Sequence, residues 1–372
     1  MRGGGIFGLS IAWEAARRGA RVRLIEAHAI GAGSSGGVVG ALAPHVPESW
    51  NGKKQFQLES LLLAETFWAE VTAASGLPTG YARSGRLQPL ADAAAVDLAR
   101  QRETSAADLW QGRAAWRVIP ATGAGWEPVS PSGHLVHDTL AARLHPRLAL
   151  AALVAAIRAK GGEIILERAA EKGLPVFPTT HATTCTPWHD EVSIKHHRAI
   201  GCGPEAGPVI WATGMAGLAD LSAALGRPIG CGVKGQALTL RHDAAMLPQI
   251  LVEGLHIVPH ADGTVAVGST SEIAWQDATR TDAQLDILLE KARAALPVLR
   301  TAAVVERWAG LRPRSQSRAP VLGPWPDRPG HFIANGGFKI GFGMAPKVAE
   351  VMVALVLEGR DAIPASFRPP ES

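Results

Sequence analysis

Three glycines near the start, Gly3, Gly5 and Gly8, form GxGxxG and constrain this chain more than any other feature. The first admits a tight turn, the second lets backbone approach a pyrophosphate, and the third lets a helix pack against a strand. The next residues read as a helix with apolar Ile6, Leu9, Ile11 and Trp13, a stop at Gly19, and a strand, VRLIE, that ends in Glu26. A carboxylate about 20 residues past such glycines stands where it can bind a ribose diol. The helix N-terminus offers free N–H groups and a positive dipole end to phosphate. The plain alternative is a glycine-rich helix start with a solvent-facing Glu, but turn, helix, strand and acid all occur in order. A βαβ unit of this kind needs a buried strand before its first glycine, and only Met1 and Arg2 stand there. The sequence therefore predicts a truncated first strand and a natural start several residues upstream.

A second glycine segment, GSSGGVVGALAP at 33–44, is too apolar for a plain linker. Small residues at Gly33, Ser34, Ser35, Gly36, Gly37, Gly40 and Ala41 permit another close backbone approach, as a ligand longer than a pyrophosphate requires. Helical periodicity covers about Gln55 to Ala74, Ala93 to Gln111 and Asp282 to Leu296, with a helix–Gly-Gly–strand unit in HPRLALAALVAAIRAKGGEIIL. SGRLQPL and VIWATG read as short strands. Alternation in GVKGQALTL, LHIVPH and GTVAVGSTSE predicts an antiparallel sheet separate from the first lobe. The fold class is thus α/β plus an antiparallel sheet: a Rossmann-like lobe with an interleaved α+β lobe.

Composition narrows the function. The net charge of +4, from 37 basic and 33 acidic residues, includes no basic run, which argues against nucleic acid as a partner. No apolar stretch is long enough to span a bilayer, and no signal peptide opens the chain. Cys185, Cys202 and Cys231 show no paired framework, which suits a reducing compartment and a cytoplasmic location. Between Glu171 and Pro208 periodicity dissolves; His181, Cys185, His189, His196 and His197 match no zinc spacing, so an irregular surface insertion and no metal are expected. Tyr81 is the single tyrosine, so a mechanism needing a phenol has one candidate.

The segments GGGIFGLSIAWEAARRG, GSSGGVVGALAP, VKGQ, HIVPHADGTVAVGSTSE, WAGLRP and GGFKIGFGMAP occur in the order of the D-amino acid oxidase superfamily. Over most of its length outside 171–208, the chain resembles that superfamily's glycine oxidase (ThiO-like) and sarcosine oxidase-like branches. The resemblance implies non-covalent FAD, since no cysteine lies in the C-terminal segment. It implies a discontinuous FAD-binding domain at 1–80, 140–225 and 310–372 and a substrate domain at 81–139 and 226–309. Cofactor contacts fall on Gly3, Gly5, Ile6, Gly8, Glu26, Ser34, Ser35, Gly36, Ala41, Leu42, Thr213, Gly214, Gly341, Gly343 and Met344. Arg312 of WAGLRP takes the substrate carboxylate, a task that suits the guanidinium fork. Lys339 stands where relatives carry a second basic residue. His256 replaces the family's usual Tyr; it is a pocket residue or a plain strand histidine. Trp308 is pocket wall or core.

The implied reaction is oxidative deamination of a small amino acid or secondary amine of the glycine, sarcosine or D-amino acid type. Hydride passes to flavin N5, and O2 or another acceptor takes the electrons. A homo-oligomer is compatible with this reading. Two alternatives remain: a flavin enzyme acting on a modified tRNA base, and a flavin-fold protein without catalysis.

Overall fold

The computed structural model describes residues 1–167 and 207–370. In chain order the first part holds α1 (Ile6–Arg17), β1 (Arg23–Glu26), β2 (Ala41–Leu42), α2 (Gly52–Ser75), β3 (Arg86–Pro89), α3 (Ala93–Trp110), β4 (Trp116–Pro120), β5 (His134–Asp138), β6 (Ala142–Arg143), α4 (Pro146–Ala159) and β7 (Glu163–Leu166). The second part holds β8 (Val209–Trp211), α5 (Gly214–Ala224), β9 (Gly230–Arg241), β10 (Gln249–Val252), β11 (Leu255–Pro259), β12 (Thr264–Gly268), α6 (Ala283–Ala295), β13 (Val304–Ser315), β14 (Val321–Pro324), β15 (His331–Asn335) and α7 (Gly341–Glu358).

Local chemistry sets the helix limits. Asn51, Asp92 and Asp282 cap α2, α3 and α6 by accepting the N–H groups of Lys54, Ala95 and Gln284. Gly76 and Gly359 end α2 and α7 in the left-handed conformation that costs a side-chain-bearing residue more.

Two main sheets hold all the strands but β2 and β6, which pair with each other. In one, β1 pairs with β7 and β8 with β15, both parallel, while β14 closes the edge antiparallel to β15. Residues 1–3 bridge the halves. Arg2 N–H donates to Ile210 O at 2.9 Å and Gly3 N–H to Ile25 O at 2.9 Å, giving parallel bridges to both neighbours. Three residues therefore fill the central position where the first strand was expected. The second sheet has eight strands in the order β13-β9-β12-β11-β10-β3-β5-β4, antiparallel except for the β10–β3 pair. SGRLQPL thus joins the sheet predicted from the later segments.

One core packs α1, α2, α4 and α7 around Leu9, Ile11, Trp13, Leu61, Trp68, Leu153 and Met352, all buried. A second fills the space between the large sheet and α6 with Leu238, Leu240, Ile257, Val267, Leu285 and Leu289. A small cluster of Val38, Ala237, Val258 and Ala266, flanked by Val39 and Trp308, lies where the second glycine segment meets the large sheet. The strand β13 pairs with β9 from Val304 to Ser315, with one register shift near its start.

The cysteine and histidine expectations fare differently. Cys231 is disulfide-bonded, which corrects the reading of three unpaired cysteines. The candidates His181, Cys185, His189, His196 and His197 lie outside the described residues. Among the described residues, no helix is long and apolar enough to cross a membrane.

Candidate active site

The glycine turn is packed too closely for side chains. A Cβ on Gly3, whose φ is +102°, would stand 2.3 Å from Ala212 O, and one on Gly8 would stand 2.0 Å from Gly3 O. The turn is thereby pressed between the ends of β8 and α1. At α1 the cap residue Gly5 supplies no side-chain acceptor, and Ser35 Oγ instead receives Ile6 N–H at 3.0 Å. Glu26 accepts Gly4 N–H at 2.6 Å and His28 N–H at 2.9 Å. The carboxylate expected at a ribose is thus fixed beside the turn, and Ser35 of the second segment is drawn to the same helix start. First-turn N–H groups further along a helix have no intrahelical partner, which suits an anion.

Thr213 and Gly214 sit opposite Gly3 at the end of β8. Thr213 Oγ1 is buried without a hydrogen-bond partner among the described residues, and Asn335 Nδ2 donates to Gly214 O at 2.8 Å. The N-terminus of α7 approaches from the other side: Ile340 offers no side-chain cap, and a Cβ on Gly341 would touch Ile6 at 3.5 Å. Gly343 and Met344 are buried in its first turn. Two helix N-termini thus meet near Ile6, each adding positive potential.

The second segment turns through Ser34–Gly36 and continues to Ala41 and Leu42 in β2, which pairs with β6. A Cβ on Gly40 would meet Leu144 O at 1.8 Å, and one on Gly37 would meet the Trp308 ring at 3.2 Å. Trp308, half-buried on β13, therefore forms the wall against which Gly37 runs. Arg147 fixes this passage by donating to Gly36 O at 2.9 Å while its guanidinium forks onto Glu306.

Further along β13, Arg312 is buried. Its guanidinium lies directly over Gly235, where a Cβ would stand about 2 Å away, and Nη1 donates to Thr270 O at 3.1 Å. Among the described residues no carboxylate forms an ion pair with Arg312. Burial lowers its pKa to about 10, against the pull of Glu272, so it stays charged at neutral pH. Lys339 comes close because Phe338 N–H bonds Pro313 O at 3.2 Å. Lys339 is exposed; partial desolvation and then the Arg312 charge hold it below the ordinary lysine value. His256 stands three strands away from β13, on β11. Its Nδ1 is buried without a partner among the described residues, and desolvation, helped by Arg86 and Lys339, drives its pKa to about 3. It is therefore a neutral imidazole at pH 7. Burial raises Tyr81 to about 12, which removes the one phenol from acid–base work at neutral pH.

Sequence reasoning passed over the support behind Arg312. Buried Lys234 pairs with Glu272 at 3.6 Å and with Asp282 at 3.1 Å. Gln236 Nε2 donates to both acids, and Thr270 Oγ1 donates to Glu272. A lysine inside the apolar run GVKGQALTL was the available signal, since a buried charge needs partners.

The glycine cradle, the orphaned Thr213 hydroxyl and the uncapped helix starts fit an extended dianionic dinucleotide such as FAD. A family model described as FAD dependent oxidoreductase (DAO) matches residues 3–355. A glycine oxidase from Pseudomonas putida is 29% identical over 99% of this chain and 96% of its own length. A glycine oxidase from Geobacillus kaustophilus is 26% identical over 95% of this chain and 91% of its own. Among solved structures, iminodiacetate oxidase from Chelativorans superposes with a TM-score of 0.78 at 23% identity, covering 100% of this chain and 99% of its own. The Geobacillus kaustophilus glycine oxidase structure gives 0.76 at 21%, covering 100% and 97%. The expected fold, enzyme class and cofactor are borne out, and the chain belongs to the DAO family of FAD-dependent oxidoreductases.

Proposed function

We propose that this enzyme oxidatively deaminates a small amino acid or secondary amine of the glycine, sarcosine or D-amino acid type. The observation that carries the reading is Arg312: a buried guanidinium, held over Gly235 by Thr270 O, with no ion-pair partner among the described residues. Such a group is suited to a substrate carboxylate that forks onto it. Lys339 adds a second positive charge. Together they disfavour an incoming ammonium, so the neutral amine is the form the site accepts. His256, kept neutral by burial, then hydrogen-bonds without adding charge. No strong base is required of the protein; anchoring the carboxylate supplies orientation, and orientation supplies much of the rate.

Gly3, Gly5, Ile6, Gly8, Glu26, Ser34, Ser35, Gly36, Ala41, Leu42, Thr213, Gly214, Gly341, Gly343 and Met344 would hold the cofactor without a covalent bond. FAD, when bound, supplies the two-electron acceptor for the carbon–hydrogen bond beside nitrogen. The imine product hydrolyses in water to an oxo acid and ammonia or an amine. We assign 1–80, 140–225 and 310–372 to the cofactor domain and 81–139 with 226–309 to the substrate domain, β13 passing from one to the other. O2 or another electron acceptor and a cytoplasmic location complete the reading, with which a homo-oligomer is compatible. The disulfide at Cys231 removes the cysteine argument for that location, and cell fractionation decides it.

The test is anaerobic mixing of the purified enzyme with glycine, sarcosine or D-alanine while the flavin absorption is followed. Bleaching supports the reading, and peroxide on readmission of air identifies an oxidase. An enzyme that stays yellow with all three overturns it. Arg312→Ala should keep its flavin and lose about 2–5 kcal/mol of substrate anchoring, a fall in kcat/KM of at least about thirtyfold.

A further inference from the structure

Away from this site, the start of α4 and the turn between β11 and β12 bring together His145, His260 and Asp262. Each offers one ligand atom, and the three atoms lie within 4.8 Å of one another. His145 Nε2 is 3.9 Å from Asp262 Oδ2, and the two imidazole centroids are 4.6 Å apart.

Hydrogen bonding fixes which atoms are free. Thr264 Oγ1 donates to Asp262 Oδ1 at 2.6 Å, so its lone pairs face His260 Nδ1, 3.3 Å away. The His260 proton therefore sits on Nδ1, and Nε2 carries a lone pair. That atom is buried without a hydrogen-bond partner among the described residues, on a residue 1% exposed. A buried acceptor left unmatched is costly and rare. Asp262 Oδ1 also takes Thr264 N–H, which leaves Oδ2 turned toward His145.

We propose that His145, His260 and Asp262 form a binding site for a divalent transition metal, Zn2+ being the ion that two imidazoles and one carboxylate suit. Three protein ligands leave the fourth tetrahedral position to water. Thr264 acts as the outer-shell group that sets the His260 tautomer.

Three features temper the affinity. His145 Nδ1 receives Leu148 N–H at 3.4 Å, and coordination through Nε2 would move the ring proton there and release this long contact. The α4 N-terminus and Arg143 are positive neighbours, though Arg143 is engaged with Gly80 O and Ala245 O. Arg147 is neutralised by Glu306. The ligands come from two lobes, His145 from the segment leading into α4 and the others from the large sheet, so a bound ion would staple the lobes together.

The FAD-loaded enzyme, freed of metal by a chelator, should be titrated with Zn2+ by calorimetry, with Tm measured in parallel. One Zn2+ per chain should bind with a rise in Tm, and both effects should be lost in Asp262→Asn, a partly exposed change that spares folding. His260→Gln should behave alike, and Thr264→Val should weaken binding by about 10–100-fold. The inference fails if the wild-type enzyme binds no Zn2+ at micromolar concentrations. It fails equally if Asp262→Asn binds with unchanged affinity and stoichiometry, which would place the ion at other histidines.

Discussion

At the scale of single residues, the position proposed for the substrate carboxylate depends on an absence of atoms. Arg312 can lie flat across β9 only because residue 235 is glycine. Gly235→Ala should push the guanidinium aside, raise KM for glycine by about tenfold or more, and leave the flavin spectrum intact; steady-state kinetics reads the change. His256 gives a prediction in pH. Its folded pKa of about 3 lies below the unfolded value of about 6.5. The unfolded chain takes up the proton first as pH falls, so the neutral-histidine contribution is complete above about pH 6.5 and is lost toward about pH 3. One such proton changes stability by up to about 1.4 kcal/mol per pH unit. In His256→Gln, the fall in Tm between about pH 6.5 and about pH 4 should be shallower. Arg312 was readable from WAGLRP, because a recurring motif marks a position. Gly235 and Thr270 were not, because what they do depends on a strand pairing between segments far apart in sequence.

At the scale of elements, the glycine turn and α1 are one unit. A larger residue at position 8 meets Gly3 O before the helix can seat. Gly8→Val should weaken FAD binding by at least about tenfold, equivalent to about 1.4 kcal/mol, and yield a nearly colourless protein with unchanged far-ultraviolet circular dichroism. Helices α2, α3 and α6 were legible to within a few residues because apolar period and side-chain caps agree at Asn51, Asp92 and Asp282. The parallel β3–β10 pairing was not, since local alternation carries no record of partner or direction. Residues 1–3 hold the central place between β1 and β8. Two backbone hydrogen bonds on each side tie them there, and hydrogen bonds of that kind leave no trace in side-chain pattern.

At the scale of the whole molecule, the second glycine segment sends Leu42 into the helical core and Val38 against the large sheet, and several proposed cofactor contacts lie along it. A ligand bound by the folded state alone stabilises it by mass action, about 2.7 kcal/mol at a hundredfold excess over Kd. Stripping FAD should therefore lower Tm by several degrees, and re-addition should restore it; a scanning calorimeter measures both. The disulfide at Cys231 shows the opposite limit of reading composition: an odd cysteine count says nothing about which two approach each other.

The long strand β13 runs for 12 residues, and both its ends are tied down. Near one end Glu306 is clasped by Arg147, and near the other Pro313 O holds Phe338 N–H. It acts as a beam on two supports, with Trp308 and Arg312 at fixed stations along the span. The loop between α6 and β13 can then change length or composition over evolutionary time while the distance between those stations stays constant. Such a chassis can change what it accepts by altering its fringes and leave its calibrated part untouched.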